Sequence, residues 1–186
     1  MTIFPRLSAG WLNGWLLLAV YGAVFSATVR SFPKSVIERL FDTSNWTPAQ
    51  RRLTRMGKSL SALFFFLLAF SPLNVGEPIF LIGSVLFVLG LIGVVMALVN
   101  LSAAPADGPA TDGLYRISRN PQWVMLVLVF AGAAIAVDSW AALLLLVAVA
   151  ACYHVRILAE ERSCLALYGE AYAACMEQIP RYLLIV

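Results

Sequence analysis

Long apolar stretches separated by short polar ones dominate the chain, and their length favours helices over strands. The first apolar stretch covers residues 11–29 and carries Trp11 and Trp15 at one end. The second, 60–73, is short and borrows a turn from Gly57, Lys58 and Ser59. The third, 79–101, holds Gly83, Gly90 and Gly93, small residues that allow helices to approach closely. The fourth, 123–137, ends at Asp138, and the fifth, 140–154, follows it with almost no loop. The turn "SPLNVGEP" makes a helical hairpin of the second and third. Because a bilayer core takes about 20 apolar residues per helix, the pattern predicts an all-α fold. It would be a polytopic membrane protein with about five transmembrane helices and a cytoplasmic C-terminal helical cap.

Polar material clusters between these stretches. Residues 31–59 are expected to form one or two helices along the interface, with Phe41 and Trp46 dipping into it. The last stretch, 156–183, is expected to continue the fifth helix, break at Gly169 and stop near Pro180. Of the 13 Lys and Arg residues, only Arg6 lies before the first apolar stretch. Arg30, Lys34, Arg39, Arg51, Arg52, Arg55 and Lys58 follow the first, Arg116 and Arg119 follow the third, and Arg156, Arg162 and Arg181 come last. With five spans, twelve of the thirteen share one side, which the positive-inside rule assigns to the cytoplasm.

Composition agrees: 61% of residues are apolar and 12% charged, with a mean hydropathy of +0.86, whereas soluble domains carry about 25% charged residues. The net charge of +3 comes without the polar face that nucleic-acid binding needs, so no nucleic-acid partner is expected. Cys152, Cys164 and Cys175 match no CxxC spacing and read as unpaired, mostly buried thiols; no metal site is expected.

Two polar clusters could carry chemistry. In "TDGLYRISRNPQW", residues 111–123, Pro121 suits a helix start, and the amides beside Arg119 and Asn120 can take an anion. The plain alternative is a basic loop with a helix cap. In "HVRILAEER", residues 154–162, Arg156 and Glu160 stand one turn apart. Charges so close to an apolar helix are paired, functional, or snorkelling at a helix end. There is no HExxH, GxSxG, P-loop or GxGxxG, and the single histidine excludes haem and di-iron centres that need several.

These clusters resemble the isoprenylcysteine carboxyl methyltransferases and their bacterial relatives, which include phospholipid methyltransferases. The family's G-x-Y-R-x-x-R-[HN]-P-x-[YW] segment reads here Gly113, Tyr115, Arg116, Arg119, Asn120, Pro121 and Trp123. Its R-x-x-x-E-E-x-x-L helix, Y/F-G-x-x-Y and late Pro-Arg read Arg156, Glu160, Glu161, Leu165, Tyr168, Gly169, Tyr172, Pro180 and Arg181. The resemblance covers residues 79–182. Asn120 replaces a common histidine and Trp123 a common tyrosine, as in bacterial members.

The resemblance implies S-adenosylmethionine-dependent methyl transfer to a lipid-like acceptor drawn from the bilayer, such as a prenylcysteine-type carboxylate or a phospholipid amine. It implies cofactor binding by Tyr115, Arg119, Asn120, Pro121, Trp123, His154 and Glu160, and a reaction end shaped by Arg156, Glu161 and Arg181. It also implies a bacterial inner membrane with the site facing the cytoplasm. One domain is expected, with N-terminal helices and an amphipathic loop over 1–78 and a catalytic core over 79–186. The competing readings are a noncatalytic scaffold or transporter, which would leave the Arg and Glu as structural pairs, and a sterol-reductase-like oxidoreductase with a nicotinamide cofactor.

Overall fold

The computed structural model describes residues 2–3, 5–41, 46–105 and 108–183, and the side chains of residues 39–41 are outside that description. Among the described residues the structure is all-α, with two isolated backbone bridges and no strand. The helices are α1 (Trp15–Arg30), α2 (Lys34–Phe41), α3 (Pro48–Ala69), α4 (Pro78–Ala103), α5 (Pro121–Ala136), α6 (Trp140–Tyr168) and α7 (Glu170–Gln178), with a single 3-10 turn at Gly113–Arg116.

Local chemistry sets the helix starts. Thr47 and Gln50 form a reciprocal capping box at α3, with Pro48 next in the first turn. The Ser139 hydroxyl accepts the Ala142 amide at the start of α6. At Gly169 (φ 54°) α6 hands over to α7.

The expectation of about five transmembrane helices is corrected. Among the described residues only α4, with 26 residues, and α6, with 29, are long and apolar enough to cross a membrane. α1 and α5 are apolar but have 16 residues each, which at ~1.5 Å per residue gives about 24 Å against a ~30 Å hydrocarbon core. α3 fails for another reason: its first half carries Arg51, Arg52, Arg55 and Lys58, leaving apolar chain only beyond Lys58. The twelve-to-one argument for five spans falls with that number. The charge asymmetry itself survives in the fold. Arg6 belongs to the segment that pairs with the turns at Phe70 and Asp138, at the end opposite the other described cations. Much of α4 faces outward with exposed apolar side chains, among them Leu81, Val85, Leu89 and Ile92, which is consistent with membrane association.

α4 and α5 form the tightest pair. They run antiparallel, with Gly83 beside Ala136, Gly90 beside Val129 and Gly93 beside Met125. A Cβ on Gly83 would strike the backbone of Gly132 and Ala136, and one on Gly132 would strike the backbone of Gly83 and Phe87. α3 lies along α6, and α1 packs on both α3 and α4. The core extends along α4 to Val94 and Leu98, and its part nearest the α5–α6 turn, including Leu68, Val129, Ala133, Ala134, Val137 and Ala142, is fully buried. Toward the other end a cavity opens between α1, α3, α5 and α6.

Candidate functional site

The site is built where α4 ends, α5 begins and α6 runs on into α7. Asn100, near the end of α4, accepts the Leu114 amide through Oδ1 at 3.1 Å. Its side chain lies so close over Gly113 (φ 59°) that any Cβ there would collide with it. Glycine is therefore required twice at this position, by conformation and by space. The turn it starts buries Tyr115.

Beyond it, the segment 118–120 is stitched to the C-terminal strand of chain. The Ser118 hydroxyl donates to the Arg181 carbonyl at 3.0 Å and accepts the Asn120 amide at 3.1 Å. The Arg119 amide donates to the Pro180 carbonyl at 2.9 Å, and its Nη1 to the Met176 carbonyl at 2.9 Å.

Glu161 lies at the centre of this clasp, with its side chain 5% exposed. Arg181 Nε donates to its Oε2 at 2.9 Å, Asn120 Nδ2 to its Oε1 at 3.1 Å, and Arg119 Nε stands 3.4 Å from Oε1. The last contact is an ion pair without hydrogen-bond alignment. Two guanidiniums against one carboxylate leave the clasp with one surplus positive charge. A second pair, Arg156 Nε to Glu160 Oε1 at 2.6 Å, is more open, at 27% and 40% exposure. The Arg156 guanidinium also lies 5.3 Å over the ring of Trp46. Trp46 is thus buried inward under a cation, not dipping into an interface as expected; Phe41 falls among the side chains left undescribed.

A cavity of about 800 Å³ runs from these groups between the helices. Its polar end is walled by Tyr115, Arg119, Asn120, Arg156, Glu160 and Glu161, and its apolar arm by Tyr21, Phe64, Phe65, Phe130, Leu146 and Val149. Trp123 and Tyr153 stack at 4.9 Å on the wall between the two. Seven of the ten sequence-derived site residues therefore meet on one cavity.

Pro121, His154 and Arg181 are not on its wall. Pro121 is buried in the first turn of α5, His154 Nδ1 shares a 2.7 Å hydrogen bond with the Tyr182 hydroxyl, and Arg181 reaches the site only through Glu161. Tyr172, on the wall from α7, has its hydroxyl pKa pushed up by burial first, with Cys164 and Glu161 adding to it. Burial also raises Tyr182, against the opposing charge of Arg181. No disulfide joins the cysteines: Cys152 is buried, and Cys164 and Cys175 are half-buried on the cavity wall. No group of three or more potential metal ligands occurs among the described residues.

The aromatic arm was missed from sequence. Nothing in "LFFFLL" marks Phe64 and Phe65 as cavity-facing and Phe66 as exposed until the helix phase is known. Met176 contributes through its carbonyl, which no residue type advertises.

The all-α bundle thus encloses a cavity that joins paired charges to an aromatic arm. The family model of phospholipid methyltransferases matches residues 78–171, and the chain belongs to that family. The match takes in α4, α5 and α6 and the polar wall of the cavity up to Glu161. Among curated proteins and solved structures, nothing matches the chain.

Proposed function

We propose that the protein transfers a methyl group from S-adenosylmethionine to a lipid-like acceptor, either a prenylcysteine-type carboxylate or a phospholipid amine. The observation that carries this reading is one cavity with a charged end and an aromatic arm, lined by residues from both motifs, among them Tyr115, Asn120, Trp123, Arg156 and Glu160.

The residues fit the cofactor. Its volume suits ligand sites of roughly 300–1,000 Å³. The Arg156–Glu160 pair is open enough to exchange its mutual bond for an amino-acid carboxylate and ammonium, and the Trp123–Tyr153 faces offer a surface for a flat ring or a cation. When bound, S-adenosylmethionine supplies a sulfonium methyl carbon, which an acceptor lone pair takes as the carbon–sulfur bond breaks.

The chain's part is positioning and exclusion of water. Tyr115, Asn120, Trp123, Arg156 and Glu160 form the wall that holds the polar ligand. Arg119, Glu161 and Arg181 are positioning residues: their clasp pins the 118–120 segment to the C-terminal segment, and with it the first turn of α5. His154 and Pro121 hold the same frame from outside the cavity. A carboxylate acceptor is already ionised and needs orientation only. An amine must lose a proton, for which Glu160 is the half-exposed base on the wall. The cations gathered at this end of the bundle fit a site facing the cytoplasm of a bacterial inner membrane, where the cofactor is made.

The test is incubation of the purified chain with methyl-labelled S-adenosylmethionine and prenylcysteines, fatty acids and phosphatidylethanolamine, alongside calorimetric cofactor binding. Labelled lipid is the expected product. Absence of both label transfer and cofactor binding overturns the reading.

A further inference from the structure

The far end of the cavity has a shape of its own. Trp123 of α5 stacks on Tyr153 of α6, and Gly57 of α3 lies against the same tyrosine, so three helices share one level there. Seven residues toward the opposite end along each helix stand Phe130, Leu146 and Phe64. At ~1.5 Å per residue all three lie about 10 Å beyond that level.

The rings at this depth touch. Phe130 is the hub, with centroids 4.9 Å from Tyr21, 5.7 Å from Phe64 and 5.2 Å from Phe65. Every one of them lines the cavity. Past the layer come Leu68, Ala133, Ala134, Val137 and Ala142, which are 0–1% exposed and do not line it. The apolar arm therefore ends at the aromatic layer, against close-packed core.

We propose that this layer, centred on Phe130, is a floor that sets the length of the acceptor's apolar chain. The inference rests on the reading of the cavity as the acceptor's site. Each methylene placed above the floor leaves water and gains affinity. A chain long enough to pass it must double back or displace a ring from a dense interior, where added volume is poorly tolerated.

The experiment measures dissociation constants of a homologous series of saturated n-alkyl carboxylates for the full chain in detergent, corrected for micelle partitioning and without cofactor. Wild-type affinity should rise roughly fourfold per added methylene, the equivalent of ~0.8 kcal/mol, and then stop rising at one chain length. Phe130→Ala should move that break to longer chains, Phe130→Leu should move it less, and Phe130→Trp should bring it to shorter ones. If Phe130→Ala does not fold, the Leu and Trp variants carry the comparison.

A break unmoved in the variants, an affinity that climbs without a break, or no binding at all overturns the floor. A moved break in a protein that transfers no methyl group overturns the proposed function alone. Methyl transfer with an unmoved break overturns the floor alone.

Discussion

Replacing Glu161 with glutamine keeps the side-chain volume and removes the charge that two guanidiniums share. The cost follows from burial. Arg119 and Glu161 are each 5% exposed at their side chains, so water cannot take the carboxylate's place on Arg119. Arg181, at 25%, is partly relieved by solvent. Removing one partner of a buried pair costs ~3–5 kcal/mol, and the exposure of Arg181 puts this case near the lower end, about 3 kcal/mol. An exposed pair would cost only ~0.3–0.5 kcal/mol.

The loss should fall on the C-terminal segment, because the clasp is what holds it to residues 118–120. About 3 kcal/mol is a factor of roughly 100 in the opening equilibrium. Hydrogen exchange resolved at individual amides reads this directly. The amides of Arg119 and Ile179, bonded to the carbonyls of Pro180 and Cys175, should exchange about 100-fold faster in Glu161→Gln. Amides of the α4–α5 pair should not change. Turnover should fall at least tenfold at saturating cofactor, since the wall is no longer pinned. Exchange within twofold of wild type at those two amides would refute the buried clasp.

Glu160→Gln should behave oppositely, with stability changed by less than ~1 kcal/mol because the pair is half-exposed, but cofactor affinity in calorimetry lowered tenfold or more. Gly83→Ala should destabilise by at least ~1–3 kcal/mol in thermal unfolding, since its Cβ meets backbone rather than a yielding side chain. Tyr172 should remain protonated above the ordinary 10.0 of a tyrosine hydroxyl. The folded state then holds a proton that the unfolded state gives up, so this group's contribution is complete below pH ~10 and declines as pH rises further. Comparing the tyrosinate absorbance titrations of wild type and Tyr172→Phe checks it: the difference between them should titrate above the ordinary range.

The second motif brought its share of the polar wall together because its spacing is helical, whereas Tyr115, Arg119 and Asn120 of the first lie in a 3-10 turn and the stretch before α5. Arg156 stands one turn before the adjacent Glu160 and Glu161 on α6 whatever else the fold does. The motifs could not say that the two adjacent glutamates differ in kind, one in a buried clasp and one in an open pair. That difference depends on Arg181 and Asn120, 20 and 41 residues away in sequence. The α5–α6 hairpin was legible from its apolar runs, but the expected hairpin of the second and third stretches was not borne out, because α3 packs on α6 and α4 on α5; nor was the number of spans legible. Hydropathy sees apolar length, whereas α1 and α5 stop at 16 residues because turns at Ser31 and Val137 end them. The aromatic floor required the phase of three helices relative to one another, and that phase is fixed by contacts at Gly57, Trp123 and Tyr153 that leave no local signature.

The clasp also sets an order of events during synthesis. Arg119 finds its partners in the carbonyls of Met176 and Pro180, and Glu161 finds one of its two cations in Arg181. Nearly all of the cavity's wall is therefore synthesised before the residues that lock it. A released chain truncated before residue 176 would carry α1 to α6 and the aromatic arm, with Arg119 and Glu161 facing each other and no strap across them. Nonsense-truncated products of that length should pack without the clasp, and quality-control proteases should meet them at an unpinned α6 end.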